Sequence, residues 1–64
     1  MLKNNEYQLG TIVELKKPHP SGTVQWEVVR LGADIKIKST IKAGLFIMMT
    51  RTDFNRKVKS IISF

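Results

Sequence analysis

The sequence predicts a mainly β fold of four or five short strands that ends in a C-terminal helix or helical turn. Apolar and polar residues alternate on both sides of a glycine between Gln25 and Lys38, a pattern typical of a hairpin with one buried face. A shorter alternating run precedes it at Thr11–Lys16, and a continuous apolar run follows at Leu45–Met49. Near Thr52 the spacing of apolar residues changes to that of a helix. The 64 residues have the size of one small domain.

We expect the hairpin to be the element around which the other strands pack. Gly32 lies between its two runs, where a positive φ would reverse the chain. The polar face of the second run presents Lys36 and Lys38 to solvent. The neighbouring strands and the tail add to the hairpin's apolar face, and the predicted core is Val13, Leu15, Trp26, Val28, Ile35, Ile37, Ile47 and Phe54.

The segments before and after the hairpin complete the predicted sheet. Residues 1–10 are mostly polar, and we interpret them as a partly ordered lead-in. Thr11–Lys16 is predicted as the first strand, with Val13 and Leu15 on its buried side. The Leu45–Met49 run is typical either of a strand covered on both faces or of a strand with one buried face and one contact surface.

A stiff loop separates the first strand from the hairpin. In Lys17–Thr23, Pro18 and Pro20 stand on either side of His19, the sole histidine of the chain. The prolines restrict the backbone, and Gly22 then permits a turn. A rigid loop of this kind suits a binding site, and it suits equally a connector whose prolines limit the entropy of the unfolded chain.

The tail has two interpretations. Its apolar residues recur at the spacing of one helix face, namely at Phe54, Val58, Ile61 and Ile62. A helix over Thr52–Phe64, capped by Thr52 or Asp53, would bury them and turn its cations outward. Alternatively, a short helical turn ends near Lys57 and Val58–Ile62 forms a final strand.

Positive charge is concentrated in the second half of the chain. The net charge is +6; up to Asp34, four cations balance four carboxylates, and beyond it only Asp53 opposes the remaining cations. These are Lys36, Lys38, Lys42, Arg51, Arg56, Lys57 and Lys59. We therefore predict a nucleic-acid-binding module that contacts the phosphates of DNA or RNA, with Lys17 and His19 as further candidate contacts from the loop. A net charge that serves only solubility is the simpler alternative.

A protein-interaction module is the second functional hypothesis. In that case the hairpin edge or the apolar Leu45–Met49 run would dock a peptide or a second copy of the chain.

Other classes of function have less support. The chain has no cysteine, which excludes disulfides and thiolate metal sites, and a lone histidine with five scattered acids suggests neither a metal site nor catalytic residues. We therefore expect no enzyme and no cofactor. The first residues lack the apolar run of a signal peptide, and the longest apolar stretch is too short to span a bilayer, so we expect a cytoplasmic protein without membrane contact.

Several runs of residues, taken in their order along the chain, are similar to those of a known protein family. They are Val13–Pro20, Gly22, Trp26–Val28 and Arg30–Lys38, followed by Met48, Arg51, Phe54 and the basic and apolar tail up to Ile62. In this order the chain resembles the very short bacterial proteins of the family called domain of unknown function 951, over nearly its whole length from Gly10. The resemblance implies a bacterial, cytoplasmic, β-barrel-like protein, for which we expect an SH3-like barrel. It implies no established activity, although the shape suggests nucleic-acid binding.

The chain departs from the resemblance at two serines. Relatives typically carry cysteine at the positions of Ser21 and Ser39, and a further cysteine in the loop that here reads Thr40–Gly44. With a histidine at the position of His19, such a set would suit a Cys₃His zinc site between the two loops. Alternatively, the cysteines are only reduced, buried residues, for which serine is a tolerable substitute. Because this chain lacks the thiols, we expect no metal in it. Either ordinary packing keeps its loops together, or the loops have lost rigidity.

Overall fold

The computed structural model describes residues 6–63, which form one antiparallel sheet and a short helix. The strands are β1 (Ile12–Leu15), β2 (Gln25–Leu31), β3 (Asp34–Ser39), β4 (Phe46–Thr50) and β5 (Val58–Ser63), and helix α1 (Arg51–Lys57) connects β4 to β5. Their order in the sheet is β4-β3-β2-β1-β5, so that the last strand lies beside the first. The predicted mainly β fold is confirmed, and the strand order agrees with the predicted SH3-like barrel.

The central hairpin, β2 and β3, forms as predicted, but its turn differs. The last opposed residues are Leu31 and Ile35, so the reversal is spread over residues 32–34. The prediction of a positive φ at Gly32 is wrong, because this wider connection reverses the chain without a left-handed residue. Arg51 Nε donates to the Gly32 carbonyl at 2.6 Å, and this contact stabilises the turn.

The hydrophobic core lies between the inner face of the sheet and α1. All predicted core residues contribute to it: Val13, Trp26, Val28, Ile35, Ile37 and Phe54 are buried, and Leu15 and Ile47 pack half-buried against them. Tyr7 and Val58 are also buried. The Tyr7 ring packs edge-on against Phe54, with the ring centroids 4.7 Å apart, and its hydroxyl donates to Asn55 Oδ1 at 2.9 Å. Tyr7, within the predicted lead-in of residues 1–10, is therefore a core residue, whereas residues 1–5 of that segment lie outside the described residues.

The apolar Leu45–Met49 run is not covered on both faces, so the first of its two interpretations is wrong. Ile47 and Met49 pack against the core from one face of β4. On the opposite face, Phe46 and Met48 are exposed. β4 therefore has one half-buried face that packs on the core and one apolar face that is open to solvent.

The tail forms a helical turn and a strand, so the prediction of one helix over Thr52–Phe64 is wrong and the alternative is confirmed. The helix begins at Arg51, one residue earlier than expected, and its cap is Thr50 rather than Thr52 or Asp53, because the Thr50 side chain accepts the Asp53 N–H at 3.1 Å. At Val58 the backbone becomes extended, and β5 pairs with β1. Pairing with a distant strand thus overrides the helical spacing of the apolar residues. Within residues 6–63, no helix is long and apolar enough to cross a membrane.

Candidate nucleic-acid interface

The seven cations of the second half lie on β3, on the loop that follows it, on α1 and on β5. Lys36 and Lys38 lie on the outer face of β3, and Lys42 lies in the loop that follows it. Arg51, Arg56 and Lys57 belong to α1, and Lys59 belongs to β5 at the opposite end of the sheet. Cations that are concentrated in one half of the sequence are therefore carried by several different elements of the fold.

Some of these cations are paired with carboxylates. Lys38 Nζ lies 3.7 Å from Glu27 Oε1, and Lys59 Nζ lies 3.5 Å from Glu14 Oε2, so two carboxylates of the first half offset cations of the second. Arg56 Nη2 lies 2.6 Å from Asp53 Oδ1. These pairs are largely exposed, where each contributes at most about 1 kcal/mol to stability. In each pair one carboxylate offsets the charge of one cation.

Basic residues from two parts of the chain line one surface cleft. It has a volume of about 580 Å³. Its lining residues, which we call the basic cleft, are Leu15, Lys16, Lys17, Pro18, His19, Pro20, Arg56 and Lys57. The Lys16 N–H donates to the Lys57 carbonyl at 2.8 Å and joins the end of β1 to the end of α1. Two segments that lie far apart in the sequence thereby form one site.

The loop that forms one wall of the basic cleft is held in place by His19. Its Nδ1 accepts the Ser21 N–H at 3.1 Å and lies 2.9 Å from Ser21 Oγ. Its ring packs edge-on against the buried Trp26, with the centroids 5.4 Å apart. The flanking prolines further restrict this segment. His19 therefore joins the loop to the core, through its hydrogen bond to Ser21 and its contact with Trp26.

A chain of hydroxyl groups connects this loop to the one that follows β3. Thr23 Oγ1 lies 2.8 Å from Ser21 Oγ and 2.7 Å from Ser39 Oγ. Ser39 Oγ in turn accepts the N–H groups of Ile41 and Lys42, at 3.2 and 3.0 Å. The two serines at which the chain departs from its resemblance are therefore linked through a buried threonine, and the loops are held together by hydrogen bonds.

The contact between His19 and Ser21 raises the question of catalysis. Ser21 Oγ also accepts the Thr23 N–H at 3.3 Å, and it continues into the hydroxyl chain. His19 Nδ1 is already the acceptor of a backbone N–H. Both atoms therefore take part in the hydrogen bonds that hold the loop.

The structure brings four of the predicted contact residues together and separates the others. Lys17 and His19, the candidate loop contacts, line the same cleft as Arg56 and Lys57 from the tail. Lys38 and Lys42 line a second cleft of about 510 Å³ that also contains Glu27. The sequence prediction did not include Lys16, although its position next to Lys17 in a lysine pair is a signal for it.

Comparison with known proteins supports one family. The model of the family described as "Bacterial protein of unknown function (DUF951)" matches residues 7–62. The chain is also 38% identical over 61 residues to "Uncharacterized protein YyzM" from Bacillus subtilis (strain 168), an alignment that covers 95% of this chain and 88% of that protein. No solved structure matches the chain significantly.

Proposed function

Because the chain belongs to the DUF951 family of bacterial proteins, whose description assigns no function, we propose a function from the chain's own geometry: it binds nucleic acid by holding phosphates in the basic cleft. The observation that carries the proposal is the convergence of Lys16, Lys17, Arg56 and Lys57 around one cleft. Cations that surround a cleft can contact several phosphates of one strand together, which a scattered set cannot do.

The charge of the basic cleft supports an anionic ligand. In the part of the chain that the structure describes, no carboxylate lies within 4 Å of the amino groups of Lys16, Lys17 or Lys57. Arg56 engages Asp53 through Nη2, and a guanidinium has five N–H donors in all. The cleft therefore offers three unpaired ammonium groups and a partly engaged guanidinium to a polyanion.

The apolar lining of the cleft supports a nucleotide rather than a bare anion. Leu15, Pro18 and Pro20 line it between the cations. Sugar and base surfaces can pack on such side chains while phosphates contact the charged rim. The loop is already ordered by its prolines and by His19, so binding requires little further loss of conformational entropy.

The test measures the binding of labelled DNA and RNA oligonucleotides by fluorescence anisotropy at several salt concentrations. The double variant Lys17→Glu/Lys57→Glu should weaken binding at least about tenfold, because it reverses the charge on both walls of the cleft. The matched control is Lys36→Glu/Lys42→Glu, which changes the net charge equally but lies outside the cleft.

The comparison of the two variants separates a site from a general attraction. Circular dichroism first establishes that both variants retain the β fold. A larger loss in the cleft variant supports the proposal. Equal losses in the two variants, or no binding by the unmodified protein at low salt, would contradict it.

A further inference from the structure

The strand β4 has an open edge. It lies at one end of the sheet and pairs with β3 on one side, and among residues 6–63 no strand pairs with its other side. Edge strands of this kind present backbone N–H and C=O groups to which another extended chain can pair.

The register of β3 and β4 shows which backbone groups face the open edge. The Ser39 N–H donates to the Leu45 carbonyl at 2.9 Å. In an antiparallel ladder hydrogen-bonded pairs alternate with non-bonded ones, so Ile47 exchanges hydrogen bonds with β3, whereas Phe46 and Met48 turn their N–H and C=O groups away from it. The backbone N–H and C=O groups of Phe46 and Met48 are therefore available to pair with an added strand.

The side chains at this edge are apolar and accessible. Phe46 and Met48 are 45% and 53% exposed, on the outer face of the sheet. β4 itself, Phe46–Thr50, contains no charged residue. Soluble proteins commonly protect edge strands with charges, prolines or bulges, and β4 has neither a charge nor a proline. An open, uncharged edge is a surface on which an extended segment can pair.

The charges around β4 indicate the chemistry of that segment. Lys36 Nζ lies 4.6 Å from the centre of the Phe46 ring, and Lys42 and Arg51 lie before and after the strand. The carboxylate nearest to the strand in register is that of Asp34, opposite Thr50. With Lys38, which lies opposite Phe46, four cations stand against the carboxylates of Asp34, Asp53 and Glu27. This excess of positive charge favours an acidic partner, and the net charge of +6 disfavours a second copy of this chain.

We propose that the open edge of β4 binds an extended segment of another protein in which apolar and acidic residues alternate. The segment pairs with the backbone groups of Phe46 and Met48 and adds a strand to the sheet. Its apolar side chains pack on Phe46 and Met48, and its carboxylates contact the cations that surround the strand. This surface is separate from the basic cleft.

A labelled synthetic peptide of alternating valine and glutamate tests the proposal by fluorescence anisotropy with the full chain. Met48→Pro removes an N–H that faces the open edge without breaking a bond to β3, so it should weaken binding at least about tenfold. Met48→Ala is the matched control, because it shortens the same side chain but keeps the N–H. Lys36→Glu, which leaves the backbone unchanged, should also weaken binding and covers the case in which the proline variant fails to fold.

Two altered peptides complete the experiment. A peptide with lysine in place of glutamate should bind at least about tenfold more weakly. Of two peptides that are N-methylated on alternate residues, only one should lose binding, because only alternate N–H groups face β4.

Three results would overturn the proposal. The first is peptide binding that is unaffected by both Met48→Pro and Lys36→Glu, or equal binding of the lysine peptide. The second is self-association in sedimentation that Met48→Pro abolishes, which would assign the edge to a second copy. The third is displacement of the peptide by an oligonucleotide whose own binding is weakened by Met48→Pro, which would assign the edge to nucleic acid.

Discussion

The hydroxyl of Thr23 lies 2.7 Å from the hydroxyl of Ser39, and both side chains are buried. This contact joins the loop before β2 to the end of β3, across a separation of 16 residues. From Thr23 the hydrogen bonds continue to Ser21 and His19, whose loop forms a wall of the basic cleft. The shape of the cleft therefore depends on a polar contact at the other end of the loop.

Replacing Thr23 by valine tests how strongly this contact stabilises the fold. Thr23→Val keeps the shape of the side chain but removes a buried hydroxyl that two serine hydroxyls contact, so the free energy of unfolding should fall by about 1–3 kcal/mol. Chemical denaturation measures this change. The control is Thr40→Val, because the Thr40 hydroxyl bonds the Gln25 carbonyl at an exposed site and its loss should cost less than about 0.5 kcal/mol. Equal costs for the two variants would contradict the structural role of Thr23.

Tyr7 is the second test of the fold, because it lies in a segment whose sequence does not predict burial. Its side chain is only 5% exposed. Tyr7→Phe removes the hydrogen bond to Asn55 and should cost about 1 kcal/mol of unfolding free energy, whereas Tyr7→Ala also removes the ring from Phe54 and should cost about 3–5 kcal/mol. Thermal and chemical unfolding measure both. Leu9→Ala, at an exposed residue nearby, should be nearly neutral, and a Tyr7→Ala variant as stable as Leu9→Ala would contradict this packing.

The parts of the fold that the sequence predicts are those encoded by neighbouring residues. In β2 and β3, Trp26, Val28, Ile35 and Ile37 alternate with polar residues, and all four are buried. A period of two residues specifies which face of a strand packs inward, whatever the rest of the chain does. The first four strands and most of the core could therefore be predicted without the structure.

The parts that the sequence does not predict depend on distant contacts. Phe54, Val58 and Ile61 fit one helix face, yet pairing of β5 with β1 makes the last two strand residues. The basic cleft requires Lys16 and Lys57 to be neighbours, which only the β1–β5 pairing and the Lys16 hydrogen bond bring about. Charge counts along the chain predict that the protein has a basic surface for an anionic partner, but they do not predict which cations lie on that surface.

The glycines provide a further test. The sequence predicts a positive φ at Gly32, whereas Gly44 is one of the glycines that have it. Gly44 has φ of 80°, and among residues 6–63, apart from Gly44 and its two chain neighbours, no heavy atom lies within 4 Å of where its Cβ would stand. Gly44→Ala should therefore cost about 1–2 kcal/mol from backbone strain alone. At Gly32, which lacks a positive φ, an added Cβ meets the Asp34 carbonyl oxygen at an ordinary 3.7 Å, so Gly32→Ala should change stability by less than about 1 kcal/mol. Chemical denaturation ranks the two variants, and the reverse order would contradict the observed turn.

The start of α1 can be tested at two threonines. Thr50 accepts the Asp53 N–H at 3.1 Å, so Thr50→Ala should lower the free energy of unfolding by about 1 kcal/mol. Thr52 lies inside the first turn and is exposed, and alanine has the higher helix propensity there, so Thr52→Ala should be neutral or slightly stabilising. If Thr52→Ala proved the more costly change in chemical denaturation, the helix would begin where the sequence alone suggested.

The salt dependence of nucleic-acid binding distinguishes a phosphate contact from a distant charge. Each phosphate that a cation neutralises on a single strand contributes about 0.7 to the slope of log K against log salt concentration, because its counterion is released. Lys57→Ala should therefore reduce the magnitude of that slope by about 0.7 for a single-stranded probe. Lys42→Ala removes the same charge from the loop after β3, outside the basic cleft, and should lower affinity slightly with the slope unchanged. Slopes that change equally in both variants would mean that the protein attracts nucleic acid through its net charge and not through the cleft.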